Sequence, residues 1–223
     1  MKKKPVIAID GYSSTGKSSI SKEIARRLGL VHIDTGALYR GITLFALRCA
    51  LDQSGKIDCS MLEKHLPELE LKFHLEHGEL VLYLAKENIT EPIRSQQVSE
   101  NVSFIAKQSF VRDYLLEYQR EMAKKGGVIM DGRDIGTTVL PEADYKFFLS
   151  ASVQERSRRR HLELQSMGID LPLEEVERNL TSRDAIDSSR EASPLRQAPD
   201  AVLIDNTKLT KEETIEKILS FIS

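Results

Sequence analysis

The stretch Val6-Ile7-Ala8-Ile9-Asp10-Gly11-Tyr12-Ser13-Ser14-Thr15-Gly16-Lys17-Ser18-Ser19 limits what this chain can fold into more than any other. Its β-favouring apolar residues, Val6 to Ile9, predict a buried strand that runs straight into Gly-x-x-x-x-Gly-Lys-Ser. The helical pattern of Ile20 to Leu28 follows. Strand, glycine loop and helix N-terminus in that order are the context of a phosphate-binding P-loop. The glycines let the backbone aim several N–H groups at one phosphate, and the first helical turn adds unpaired N–H groups and the positive end of its dipole. Gly11, Tyr12, Ser13, Ser14, Thr15, Gly16, Lys17, Ser18 and Ser19 are therefore expected to hold a nucleoside triphosphate. Lys17 reaches the β/γ-phosphates and the Ser18 hydroxyl is a ligand for Mg²⁺.

Further apolar runs place the rest of a sheet. Leu30 to Asp34, Val128 to Asp131, Tyr145 to Leu149 and Ala201 to Asp205 read as buried strands. With the first strand and the helical patterns between them they predict an α/β fold, a doubly wound five-stranded parallel sheet. Gly29 suits a helix C-cap. Thr35 to Arg40 opens a helix expected over Ile42 to Leu51. There Arg40 is either a ligand for a second phosphate at the carboxyl edge of the sheet or a solvated helix arginine. From Cys59 to Arg94 the pattern changes. Leu69 to Leu75 and Glu79 to Leu84 alternate apolar and polar around Glu76-His77-Gly78, an antiparallel hairpin with one wet face, and Ile89 suits a short third strand. Val98 to Met122 reads as one long helix.

The strand ending in Asp131 carries Asp131-Gly132-Arg133-Asp134, placed where P-loop enzymes keep a carboxylate beside the metal. Ser150 or Ser152 caps a helix with the basic run Arg156-Ser157-Arg158-Arg159-Arg160-His161. By itself that run is a solvated face; beside two sets of phosphates it suits a mobile lid. A helix over Leu173 to Thr181 leads into Arg183-Asp184-Ala185-Ile186-Asp187-Ser188-Ser189-Arg190, suited to a sugar-phosphate or to surface ion pairs. Lys211 to Ile222 closes the fold.

With 223 residues, 40% of them hydrophobic, the chain suits one soluble α/β domain with an insert. A net charge of −2 argues against a broad nucleic-acid surface. Cys49 and Cys59 have no metal-ligand spacing, Met1-Lys2-Lys3-Lys4 precedes too short an apolar run for a signal peptide, and no apolar run reaches a membrane span. A cytoplasmic monomer with no membrane or nucleic-acid partner is expected. Arg40, Arg112, Arg133, Arg158, Arg159, Arg183 and Arg190 exceed what a simple hydrolase needs. They favour phosphoryl transfer to a phosphorylated acceptor.

Over nearly its whole length the chain resembles the bacterial cytidylate (CMP/dCMP) kinases. The resemblance rests on Ile9-Asp10-Gly11, Gly16-Lys17, Asp34-Thr35-Gly36-Ala37-Leu38-Tyr39-Arg40, the hairpin insert, Glu91-Pro92-Ile93-Arg94, Asp131-Gly132-Arg133-Asp134-Ile135-Gly136-Thr137, the Arg158-Arg159 helix, and Arg183-Asp184, Asp187, Arg190 and Pro194-Leu195. It implies a P-loop core of about residues 1–58, 126–153 and 195–223. A nucleoside-monophosphate-binding region would cover about 59–125 and a lid about 154–190. It implies transfer of the ATP γ-phosphoryl group to CMP or dCMP with Mg²⁺. Ser103, Arg112 and Asp134 would read the cytosine edge, and Arg183 and Asp187 would hold the sugar. Arg40, Arg133 and Arg190, with Thr35 alongside, would clamp the acceptor phosphate, and Arg158 and Arg159 would close from the lid. Lys17, Arg133, Arg158, Arg159 and Arg190 would carry the catalytic charge. Asp131 would order the metal through water. The acceptor phosphate oxygen is already nucleophilic, so no general base is needed. Asp10 and Asp34 either help at the site or cap turns. The chain departs from the family pattern at Tyr12, where proline is usual, and at Ala185 and Ile186, where many members carry charge. Two rivals stand beside this reading: a kinase for another small acceptor (UMP, AMP or a shikimate-like molecule), and a nucleotide-dependent switch without acceptor chemistry.

Overall fold

A computed structural model describes residues 4–222. In chain order the elements are β1 (Val6–Gly11), α1 (Lys17–Leu28), β2 (Val31–Asp34), α2 (Thr35–Cys49), α3 (Cys59–His65), β3 (Leu71–Glu76), β4 (Glu79–Leu84) and β5 (Glu87–Asn88). They continue as α4 (Gln96–Ala106), α5 (Ser109–Ala123), β6 (Val128–Gly132), β7 (Tyr145–Ser150), α6 (Val153–Ser166), α7 (Leu173–Ser189), β8 (Val202–Asp205) and α8 (Lys211–Leu219). A short π-helical turn, Ile135–Val139, follows β6. The chain divides into two compact units, Met1–His32 with Ala123–Ser223, and Ile33–Met122.

The first unit is built on the expected parallel sheet, in the order β2-β6-β1-β7-β8. β1 lies between β6 and β7 and is buried almost throughout, hence its unbroken apolar run. β2 and β8 are half-exposed, with Val31 and Leu203 in solvent, so not all five strands are buried as the apolar runs suggested. They form the two edges, where one flank has no strand to cover it. Register places Asp10 opposite Gly132 and Ile9 opposite Asp131, so β1 and β6 reach the same edge side by side. Ile7, Ile9, Ile20, Ile24, Phe147 and Ile218 form the core of this unit. Burying each such side chain contributes about 1.5–3 kcal/mol.

Helix α7 is longer than its periodicity indicated. It runs to Ser189 and takes in Arg183, Asp184 and Asp187, with Arg190 as its C-cap. The apolar stripe stops at Leu180 because the last two turns turn polar side chains inward: Asp187 and Arg190 are both buried.

The second unit packs α2, α4 and α5 with a three-stranded antiparallel sheet, β3-β4-β5. His77 and Gly78 both have positive φ, the two-residue turn that matches the twist of a hairpin. Leu71, Phe73, Leu82 and Leu84 carry the alternating apolar face into the core. The third strand is Glu87–Asn88. Ile89 still donates its N–H to Leu82 but is wholly buried under the hairpin. Where one long helix was expected there are two, α4 and α5, with a break at Lys107 and Gln108. Arg112 closes that break by donating to the Ala106 carbonyl at 3.2 Å, which satisfies an open C-terminal acceptor of α4. Helix α2 begins at Thr35, earlier than its apolar period, because the Asp34 side chain caps it by accepting from the Ala37 N–H.

Among the described residues no helix is long and apolar enough to cross a membrane.

Candidate active site

The P-loop leaves β1 at Gly11, where a Cβ would sit 2.0 Å from the Leu149 carbonyl oxygen, so only glycine lets β1 and β7 pair there. Tyr12 to Gly16 form the loop, and Lys17, Ser18 and Ser19 begin α1. Thr15 Oγ1 donates to the Tyr12 carbonyl at 3.0 Å, and Lys17 Nζ donates to the same oxygen at 2.6 Å. Burial, reinforced by the Arg133 charge, holds the Lys17 ammonium well below its ordinary value. Ser18 Oγ donates to Asp131 Oδ2 at 2.7 Å, joining the start of α1 to the end of β6.

The Asp-Gly-Arg-Asp turn sits beside the loop, as the β1–β6 register requires. Asp10 accepts from the Ile135 and Gly136 N–H groups at 2.8 and 2.7 Å and so fixes the turn after Asp134. Burial pushes its carboxyl up to about 7 despite those two bonds. Arg133 Nη2 donates to Ser13 Oγ at 2.7 Å, and its Nε donates to Asp187 Oδ2 at 3.0 Å. Arg190 Nη2 donates to Asp134 Oδ1 at 3.1 Å, and its Nη1 lies 3.9 Å from Asp187 Oδ1. Five of the residues singled out in the sequence, Ser13, Arg133, Asp134, Asp187 and Arg190, thus join one chain of polar contacts. Arg183 lies half-buried on α7, one turn before Asp187.

In α6, Ser152 is the cap. Arg158 and Arg159 both pair with Glu155, at 2.8 and 2.9 Å, and hold its carboxyl down at about 2. Arg159 also donates to Asn206 Oδ1 and to its carbonyl. The two arginines line a cleft of about 510 Å³ beside the P-loop, together with Thr15, Gly16, Asn206 and Lys208.

The Ile33–Met122 unit carries Thr35, Arg40, Ser103 and Arg112. Thr35 is buried at the start of α2, and Arg40 pairs with the capping Asp34 at 2.7 Å. Ser103 is buried on α4. The Arg112 guanidinium lies over the Tyr39 ring, 5.5 Å from its centroid. Asp34 therefore combines a helix cap with an arginine partner, and Asp10 is a turn anchor.

Three residues with direct contacts to this machinery escaped sequence reasoning. Arg156 is buried, lies over the Tyr12 ring at 5.1 Å, donates to the Ser13 carbonyl at 3.3 Å and pairs with Asp184. Its sequence signal was its place one turn after the cap, which directs it back toward the sheet edge. Asn206, just past β8 at the carboxyl edge, donates to the Thr15 carbonyl at 2.8 Å. His32, a polar residue inside an apolar run, has Nε2 2.6 Å from Asp131 Oδ1.

This sheet and loop define a P-loop nucleotide-binding fold. Two solved structures share the fold at 12% identity. An uncharacterized protein from Eubacterium ventriosum has TM-score 0.52 over 99% of this chain and 98% of its own. Shikimate kinase from Acinetobacter baumannii, in complex with shikimate, has TM-score 0.50 over 98% and 93%. A likeness at that identity shows the architecture and leaves the acceptor undefined. A family model for cytidylate kinase matches residues 7–223. Proteins named cytidylate kinase from Geobacillus kaustophilus and Bacillus cereus are 46% and 43% identical, each over 100% of this chain and 98% of the relative. The chain belongs to the cytidylate kinase family, whose members are nucleoside monophosphate kinases.

Proposed function

We propose that the chain transfers the γ-phosphoryl group of ATP to CMP and dCMP, with Mg²⁺, giving ADP and the corresponding diphosphate. The observation that carries this reading is Arg133, whose one guanidinium donates both to Ser13 of the phosphate loop and to Asp187 of α7. An arginine so placed serves both reacting groups at once, which a hydrolase acting on water does not require.

The donor side rests on the loop N–H groups, on Lys17 and on the cleft lined by Arg158, Arg159 and Asn206, which suits the adenosine end of ATP. The phosphates supply the negative charge that favours a protonated Lys17. Ser18 and Asp131 fit Mg²⁺: both offer hard oxygen donors, 2.7 Å apart at a helix N-terminus. When bound, the ion neutralises charge on the transferring phosphoryl group.

Acceptor recognition is assigned unit by unit. In the sheet unit, Arg133 and Arg190 hold the acceptor phosphate, Arg183 and Asp187 the sugar, and Asp134 accepts from the exocyclic amine of cytosine. In the Ile33–Met122 unit, Arg40 and Thr35 hold phosphate, while Arg112 and Ser103 serve the ring acceptors. Uracil presents a carbonyl where cytosine has its amine, so Asp134 would face an acceptor. Steady-state ADP formation with cytosine and uracil acceptors in parallel tests the assignment.

A further inference from the structure

Asp131 is 2% exposed, and its two carboxylate oxygens meet different side chains. Ser18 Oγ donates to Oδ2 at 2.7 Å, and His32 Nε2 lies 2.6 Å from Oδ1. A carboxylate only accepts, so the ring nitrogen facing it carries the proton and His32 is the donor. His32 reaches Asp131 from β2, the strand that neighbours β6 in the sheet, and its side chain is 18% exposed. A single donor leaves a carboxylate able to rotate about Cβ–Cγ. Donors on both oxygens fix that rotation.

We infer that His32 is a positioning residue for the metal-bearing face of the site. Its Nε2–H holds the Asp131 carboxylate in the one rotation that also meets Ser18. This rests on the proposal that Ser18 and Asp131 serve Mg²⁺. The role does not call for a charged imidazole. It calls for an N–H donor at this reach, which glutamine can supply and leucine cannot.

The test uses the full-length chain with His32→Leu, His32→Gln and Asp131→Asn, each first checked for a native melting transition. Binding of Mn²⁺ in the presence of ADP is followed through the electron paramagnetic resonance signal of free Mn²⁺. The Mg²⁺ dependence of turnover and the KM for CMP are measured beside it. His32→Leu is expected to weaken Mn²⁺·ADP binding about tenfold, the lower end of what losing a partner of a metal-serving group costs, with KM for CMP changed less than about twofold. His32→Gln is expected to recover most of the affinity.

Wild-type Mn²⁺ binding by His32→Leu, alongside weakened binding by Asp131→Asn, would overturn the role of His32 and leave the metal assignment standing. Unchanged binding by Asp131→Asn would remove the metal assignment itself and the inference with it. A folded His32→Gln as weak as His32→Leu would also overturn the inference, because it would show that the donor is not what matters. If His32→Leu does not fold, His32→Asn replaces it: the shorter amide keeps polarity but falls short of Asp131, and the same loss is expected.

Discussion

Arg133 Nη2 lies 2.7 Å from Ser13 Oγ, so the arginine of the Asp-Gly-Arg-Asp turn is hydrogen-bonded to the phosphate loop itself. The parallel pairing of β1 with β6 brings the two turns to one edge. A planar guanidinium can serve two partners in fixed directions, whereas an ammonium is a point charge. Arg133→Lys should therefore keep the charge and lose the geometry, lowering kcat about 100-fold with a smaller effect on the KM for ATP. Steady-state kinetics check this, and an unchanged kcat would remove Arg133 from the chemistry.

Arg156 is expected to be a stability residue as much as a functional one. Its side chain is 5% exposed and that of its partner Asp184 is 12% exposed. Arg156→Ala leaves a nearly buried carboxylate without its cation, though still accepting from the Ser13 N–H at 3.4 Å, and should cost about 2–3 kcal/mol in urea unfolding, below the range for fully buried pairs because Asp184 keeps that bond and some water. The double variant Arg156→Ala/Asp184→Asn should be more stable than Arg156→Ala alone, since the stranded charge is gone.

Gly36 lies against the Arg40–Asp34 pair. A Cβ there would lie 2.9 Å from Arg40 Nη1 and 3.0 Å from Asp34 Oδ1, so Gly36→Ala pushes the Arg40–Asp34 pair out of place. Alanine in a helical turn should stabilise by about 0.4–1 kcal/mol through the unfolded chain. Displacing Asp34 also weakens its cap on α2, which costs about 0.5–2 kcal/mol, so the melting temperature should hold or fall slightly while the KM for CMP increases about tenfold, the loss of roughly 1.4 kcal/mol of acceptor binding. An unchanged KM would free Arg40 from the acceptor.

Asp10 gives the fold a pH dependence with a defined sign. Its carboxyl is raised from 3.8 to about 7 in the folded chain, so between those values the folded state keeps a proton that the unfolded state has released. Its contribution is complete below about pH 4 and declines as the pH rises to about 7. Asp10→Asn removes the titration and should flatten this slope. It also costs about 1–3 kcal/mol, because an amide has one acceptor oxygen for the two N–H groups of Ile135 and Gly136. Urea unfolding at a series of pH values distinguishes a slope from a constant offset.

The sheet was legible in the sequence because strands covered on both faces read as unbroken apolar runs, as Val6 to Ile9 and Val128 to Met130 do. Helix ends were less legible. The break between α4 and α5 is bridged by Arg112 donating to the Ala106 carbonyl, a contact six residues apart that no periodicity carries. The end of α7 was hidden because its last turns bury Asp187 and Arg190, polar residues that a hydrophobic pattern assigns to solvent. Motif spacing led to Lys17, Ser18, Asp131 and Arg133. It did not lead to Arg156, Asn206 or His32, whose roles come from backbone carbonyls and carboxylates on other strands and helices. The basic run around Arg158 announced charge without telling which arginine turns inward. Helix α6 turns Arg156 toward Ser13 and leaves Arg158 on Glu155.

Acceptor dependence of ADP formation tests the central claim most directly: ATP and Mg²⁺ with CMP, dCMP, UMP, AMP, GMP or no acceptor. The account predicts strong turnover with CMP and dCMP, little with UMP, and almost none without an acceptor. ADP formation at the same rate with every acceptor and with none would contradict it.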